Sequence, residues 1–161
     1  MPMFKVKEFA AYVSNEYFEK FRKNISPVRL QKTLYFCFAF WGGFVRKGKI
    51  LQDNDRQEID VTEYDEYLFN AKFEAWVYGP VIPEIYHEHN LESYYKENLI
   101  DDEFVKEYID ELLEDINSVS DFRLVDISHQ DQAWIRNFEY DDENHSREIN
   151  KEDIINEYVQ K

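Results

Sequence analysis

One stretch, Leu30 to Phe44, decides most of what this chain can become. It reads LQKTLYFCFAFWGGF and follows Ser26-Pro27. That pair predicts a helix start, serine as N-cap and proline at the first helical position, where its missing N–H has no partner to lose. Leu30, Leu34, Cys37, Phe38 and Trp41 then share one helical face, and Phe36 and Phe40 widen the apolar surface. A helix apolar around most of its girth must be enclosed by others, so this is expected to be the central helix. It falls short of the roughly 20 apolar residues of a membrane span. Gly42-Gly43 either ends it or permits a close helix contact.

The rest of the chain supplies the enclosure. Phe9, Val13, Tyr17 and Phe21 recur every four residues, one face of a helix over 6–23 that Asn24 and Ile25 interrupt. Residues 46–65, with Gly48 and Asp53-Asn54-Asp55, read as a loop. Residues 66–78 carry Tyr67, Phe69, Phe73, Trp76 and Tyr78 and predict a short β arm near 64–78. Tyr78-Gly79-Pro80 reads as a turn into a helix carrying Ile82, Ile85 and Tyr86, with Pro83 in its first turn. After Asp101-Asp102, the positions of Phe104, Val105, Tyr108, Ile109, Leu112, Leu113 and Ile116 define an amphipathic helix. Glu103, Glu107, Asp110, Glu111, Glu114 and Asp115 form its outer, solvated face. Two short capped helices are expected next: Ser128 with Asp131 resembles a capping box before Ala133, Trp134 and Ile135. Asn150 with Asp153 repeats it before Ile154, Ile155, Tyr158 and Val159. The fold class is therefore mainly α, a helical domain around a central apolar helix. No repeat or linker divides the 161 residues, and one domain over 1–161 is expected.

Charge narrows the function. The net charge is −15, yet 17% of residues are aromatic, which sets the chain apart from disordered acidic tails. Residues 1–50 hold 10 basic and 3 acidic side chains, net +7, whereas residues 51–161 hold 9 and 31, net −22. This is either a solvated acidic surface or a face that steers a basic partner. A general grip on nucleic acid, which needs clustered Lys and Arg, is not expected. The N-terminus, with Lys5, Lys7 and Glu8 among apolar residues, lacks the apolar core of a signal peptide. The single Cys37 allows neither an internal disulfide nor a cysteine-based zinc cage and fits a reducing cytoplasm. No membrane association is expected.

Reactive chemistry is sparse. Glu84-x-x-His87-x-His89 is the nearest approach to a metal site, but on a helix His89 points roughly 150–200° away from the other two. His129 and His145 lie elsewhere. Cys37, on the apolar face of the central helix, reads as a buried thiol. There is no glycine-rich phosphate loop and no nucleophile elbow. No catalytic residue, metal or cofactor is assigned. The aromatic density around Gly79, from Phe73, Trp76, Tyr78, Pro80 and Tyr86, is either core packing or a binding hot spot.

Three stretches together resemble the Panacea antitoxin domain, the SocA-like family also described as phage-associated GepA-like. They are Leu30-Gln31-Lys32-Thr33-Leu34-Tyr35-Phe36, the run from Phe73 to Tyr86, and Ser128-His129 ahead of Trp134. Their order fits from about residue 8 to 159, and the middle run is the most specific. The positions carrying the resemblance are Leu30, Lys32, Tyr35, Trp76, Tyr78, Gly79, Pro80, Val81, Glu84, Tyr86, Ser128, His129 and Trp134. It implies a helical, non-catalytic antitoxin that neutralises a protein toxin, encoded in the adjacent gene, by direct contact. The toxins of this family are diverse and include alarmone-synthetase-like enzymes, and one member is an adaptor delivering its toxin to a protease. On this reading Trp76, Tyr78, Pro80 and Tyr86 mostly build the fold, while Glu84, Glu88 and the 46–65 loop are the expected partner contacts. Two other readings stay open: a stand-alone inhibitor whose acidic surface mimics nucleic acid, and a metal enzyme using Glu84 and His87.

Overall fold

The computed structural model describes residues 3–53, 63–87, 100, 102–139 and 147–161. The described elements are mainly helical. In chain order they are β1 (Phe4–Lys5), α1 (Val6–Phe21), α2 (Pro27–Asp53), β2 (Phe69–Asn70), β3 (Phe73–Trp76), β4 (Gly79–Val81), α3 (Pro83–Tyr86), α4 (Glu103–Asn117), α5 (Asp121–Ser128), α6 (Gln132–Glu139), β5 (Arg147–Ile149) and α7 (Lys151–Val159).

Helix α2 is the axis of the molecule. Every side chain from Arg29 to Ala39 is buried, as its apolar girth requires. Ser26 caps it, its Oγ accepting from the Arg29 N–H at 3.1 Å. The helix does not stop at Gly42-Gly43; it runs to Asp53, so residues 46–53 of the expected loop are helical, and residues 54–62 lie outside the described ones. The glycines serve the close contact instead. A Cβ on Gly42 would come within 2.6 Å of the Ile155 side chain, and one on Gly43 within 2.7 Å of the Tyr158 backbone. Helix α7 thus lies directly against α2, backbone to backbone.

Around this axis, α1 ends at Arg22, whose φ of 56° closes the helix with an N–H to the Phe18 carbonyl at 2.8 Å. β1 pairs in parallel with β2, Phe4 opposite Phe69. β3 is the middle strand of a three-stranded antiparallel sheet ordered β4-β3-β5. Phe9, Phe38, Phe69 and Phe73 meet between these layers, with ring centroids 5.0–5.4 Å apart for the Phe9–Phe69, Phe38–Phe69 and Phe38–Phe73 pairs. Trp41 sits on the other side, against Tyr64 at 5.5 Å and Tyr108 of α4 at 5.3 Å.

Helix α4 matches the expected amphipathic helix, capped by Asp102 through the Val105 N–H. Asp110 departs from the solvated face assigned to it: its carboxylate accepts the Tyr12 hydroxyl at 3.0 Å, tying α4 to α1. The sequence reading of residues 120–135 needs correction. Ser128 does not open a helix; it ends α5, which Ser120 caps through the Arg123 N–H. Asp131 stands at the start of α6, but its carboxylate caps nothing. It is buried and accepts hydroxyls from Tyr35 and Tyr158 and the Lys161 amine at 2.8 Å. The Glu157 carboxylate, from α7, receives the free Gln132 and Ala133 N–H groups at 2.9 and 3.0 Å. A cap borrowed from another helix leaves no local sequence pattern.

Candidate partner-binding site

Strands β3 and β4 form a hairpin with Val77-Tyr78 at its tip and Trp76 opposite Gly79. The alternation of Phe73, Glu74, Ala75 and Trp76 buries the first and third side chains. Tyr78-Gly79-Pro80 therefore does not turn straight into a helix; the chain first returns as a strand and enters α3 at Pro83. Gly79 has φ +105°, and a Cβ there would lie 2.4 Å from Ser128 Oγ, 3.1 Å from Lys32 Cε and 3.2 Å from Lys32 Nζ. Both constraints demand glycine.

The hairpin's backbone is held by side chains from three sides. From α2, Lys32 Nζ donates to the Pro80 carbonyl at 2.9 Å. Gln31 binds Ile82 twice, Nε2 donating to its carbonyl at 3.1 Å and Oε1 accepting its N–H at 2.8 Å. His129, just after α5, places Nε2 2.9 Å from the Val77 carbonyl. Trp134 of α6 donates its indole N–H to the Trp76 carbonyl at 2.8 Å. The His129 and Trp134 rings stack 4.3 Å apart, fixing each other's direction. Ser128, buried beside Gly79, donates to its own helix at Val125. Most positions of the family resemblance thus converge on one device, a clamp on residues 76–82.

What the clamp holds in place is a half-open surface. A cleft of about 400 Å³ lies between the start of α2 and the hairpin with α3, lined by Pro27, Val28, Leu30, Gln31, Lys32, Trp76, Tyr78, Val81, Ile85 and Tyr86. Leu30, Val81 and Ile85 are buried in its floor. Trp76 is half-buried, packed edge to face on Tyr86 at 4.8 Å, with its indole N–H on Glu74 at 3.0 Å. Tyr78 is 68% exposed, Tyr86 54% and Val77 52%. This corrects the expectation that Trp76, Tyr78, Pro80 and Tyr86 mostly build the fold. Pro80 is buried, Trp76 is shared, and the two tyrosines offer their rings to solvent.

The remaining expected positions fall as follows. Tyr35 lies away from the cleft, its hydroxyl on Asp131, and burial first, then Tyr158 and Asp131, hold its pKa above the usual range. Glu84 is exposed on α3, next to the cleft-lining Ile85. Glu88 and His89 lie outside the described residues, as do His145 and part of the 46–65 segment. Cys37 is fully buried, and burial pushes its thiol pKa up, as expected of a packing residue. Among the described residues no three His, Cys, Asp or Glu side chains are grouped to hold a metal ion. Nor is any described helix long and apolar enough to cross a membrane. Gln31 and Val28 were missed. Gln31 could have been found as an amide set in an otherwise apolar helix, a residue type that needs a buried partner; exposed Val28 carries no such signal.

A rigid hairpin carrying open aromatic rings beside an apolar cleft has the surface chemistry of a module that binds another protein. Residues 56–135 match the family described as antitoxin SocA-like, Panacea domain. The resemblance read from the sequence is borne out over that stretch, which takes in the hairpin, Ser128, His129 and Trp134. The match is to a family described as antitoxins, and it covers the half of the chain that carries the hairpin. No curated protein and no solved structure matches the chain.

Proposed function

We propose that this chain is an antitoxin that neutralises a protein toxin by direct binding, without catalysis, and that the toxin is the product of the adjacent gene. The supporting observation is the clamped hairpin, where side chains from α2, the α5–α6 junction and α6 fix the backbone while Val77, Tyr78 and Tyr86 stay open beside an apolar cleft. Preorganised aromatic anchors lose little conformational freedom on binding, which is what tight association requires. Nanomolar neutralisation corresponds to about −12 kcal/mol. Two or three such anchors carry a large share of such a figure, at roughly 2 kcal/mol or more each. The net charge of −15 adds long-range attraction for a basic toxin.

The test is growth rescue. The adjacent gene is induced alone, with the wild-type chain, and with the Tyr78→Ala/Tyr86→Ala double variant. Toxicity relieved by the wild type and not by the folded double variant is expected. A harmless neighbour, or equal rescue by both, contradicts the reading. Glu84→Ala in the same assay measures the acidic contact: rescue unchanged removes Glu84 from the interface.

A further inference from the structure

The cleft contains one lysine and no described carboxylate, and that imbalance is unusual for this molecule. Its other sheltered cations are served. Arg29 reaches Asp121 at 2.7 Å, together with the Ile116 and Val119 carbonyls. Arg46 is held by Glu66, Glu152 and Asn156. Lys32, only 1% exposed, has a single acceptor among the described residues, the Pro80 carbonyl, and no acidic partner. Burial alone brings its pKa down to about 7. The Pro80 carbonyl takes one of the three donors of its ammonium, and the amine sits at the corner of the hairpin beside Gly79, where Lys32 lines the cleft. A buried cation without a counter-ion is costly, and a carboxylate brought by a ligand relieves that cost.

We propose that the cleft receives an apolar segment of the partner protein bearing one carboxylate, which closes on the Lys32 amine while Trp76, Tyr78 and Tyr86 wall the apolar part. The proposal rests on the cleft being the partner surface. The carboxylate belongs to an otherwise apolar or basic segment, since a chain of net charge −15 repels a broadly acidic one. Pairing favours the charged amine, so binding takes up a proton above pH 7 and weakens by up to about tenfold per pH unit there. Other titratable groups on the surrounding elements include Tyr35 and Arg29 on α2, Glu74 and Tyr78 on the hairpin, and Glu84, Tyr86 and His87 from α3. Asp121, His129 and Asp131 border α5 and α6.

A pair of small probes tests this without the toxin. The full chain is titrated with 4-phenylbutyrate and with 4-phenylbutyramide, following the Trp76 indole signal by NMR. The acid is expected to bind at least fivefold more tightly than the amide at pH 6.5. That preference should fade between pH 7 and 9, be lost in Lys32→Met, and persist in His87→Gln. Equal affinity for acid and amide at pH 6.5, or no response of Trp76 to either probe, overturns the proposal. If Lys32→Met does not fold, the wild-type acid–amide difference and its pH profile decide alone. Because the probes need no partner, the proposal fails separately from the antitoxin reading, which the growth rescue decides.

Discussion

Gly79 shows how much one residue can carry. Its φ of +105° and the 2.4 Å approach of Ser128 Oγ to a virtual Cβ make Gly79→Ala unfavourable twice over. The expected loss is about 2–4 kcal/mol in urea unfolding, with Ser128→Ala in the same chain recovering roughly 1 kcal/mol, because only the steric part is relieved. Lys32 leaves a different mark. Its pKa is about 7 in the folded chain, and the unfolded chain returns it to the ordinary lysine range. The unfolded state therefore binds more protons from pH 7 upward, and stability rises with pH across 7–9, by at most roughly 1.4 kcal/mol per unit. Denaturation midpoints of the wild type measured against Lys32→Met at pH 6, 7, 8 and 9 check this; the difference should shift towards the wild type as pH rises.

At the scale of elements, legibility followed where the determinants sit. Helices α1 and α4 and the first half of α2 were readable because their apolar periodicity, with the Ser26 cap of α2 and the Asp102 cap of α4, lies within the same few residues. The end of α6 that Glu157 caps was not, since the partner is 25 positions away. Ser128 and Asp131 had the right spacing for a capping box and serve other purposes, packing against Gly79 and binding buried hydroxyls. β1 and β5, two and three residues long, carry too few side chains for any period to show. Gly42 and Gly43 left two outcomes open, and the α7 contact decides between them. This ranks the two glycines. Gly43→Ala meets the Tyr158 backbone at 2.7 Å and should cost about 2–3 kcal/mol by thermal unfolding, while Gly42→Ala meets chiefly the Ile155 side chain, with the Glu66 carbonyl at 3.0 Å, and should cost less.

The whole molecule separates its support from its display. Polar groups at motif positions, Lys32, His129 and Trp134 among them, act inward on the hairpin backbone. The rings that stay open, Tyr78 and Tyr86, belong to the same motif but were expected in the core, because composition and spacing cannot say which side of a two-residue tip or of a one-turn helix faces water. Phe122, 87% exposed on α5, is a useful contrast: an exposed aromatic that does not line the cleft. The most direct measurement is the dissociation constant of the co-purified toxin for the wild type, Tyr78→Ala, Tyr86→Ala and Phe122→Ala, each shown folded by circular dichroism. The account predicts that either tyrosine variant weakens binding by about 30-fold or more, equivalent to about 2 kcal/mol, while Phe122→Ala stays within threefold of the wild type. Tyrosine variants that bind as the wild type does would contradict it.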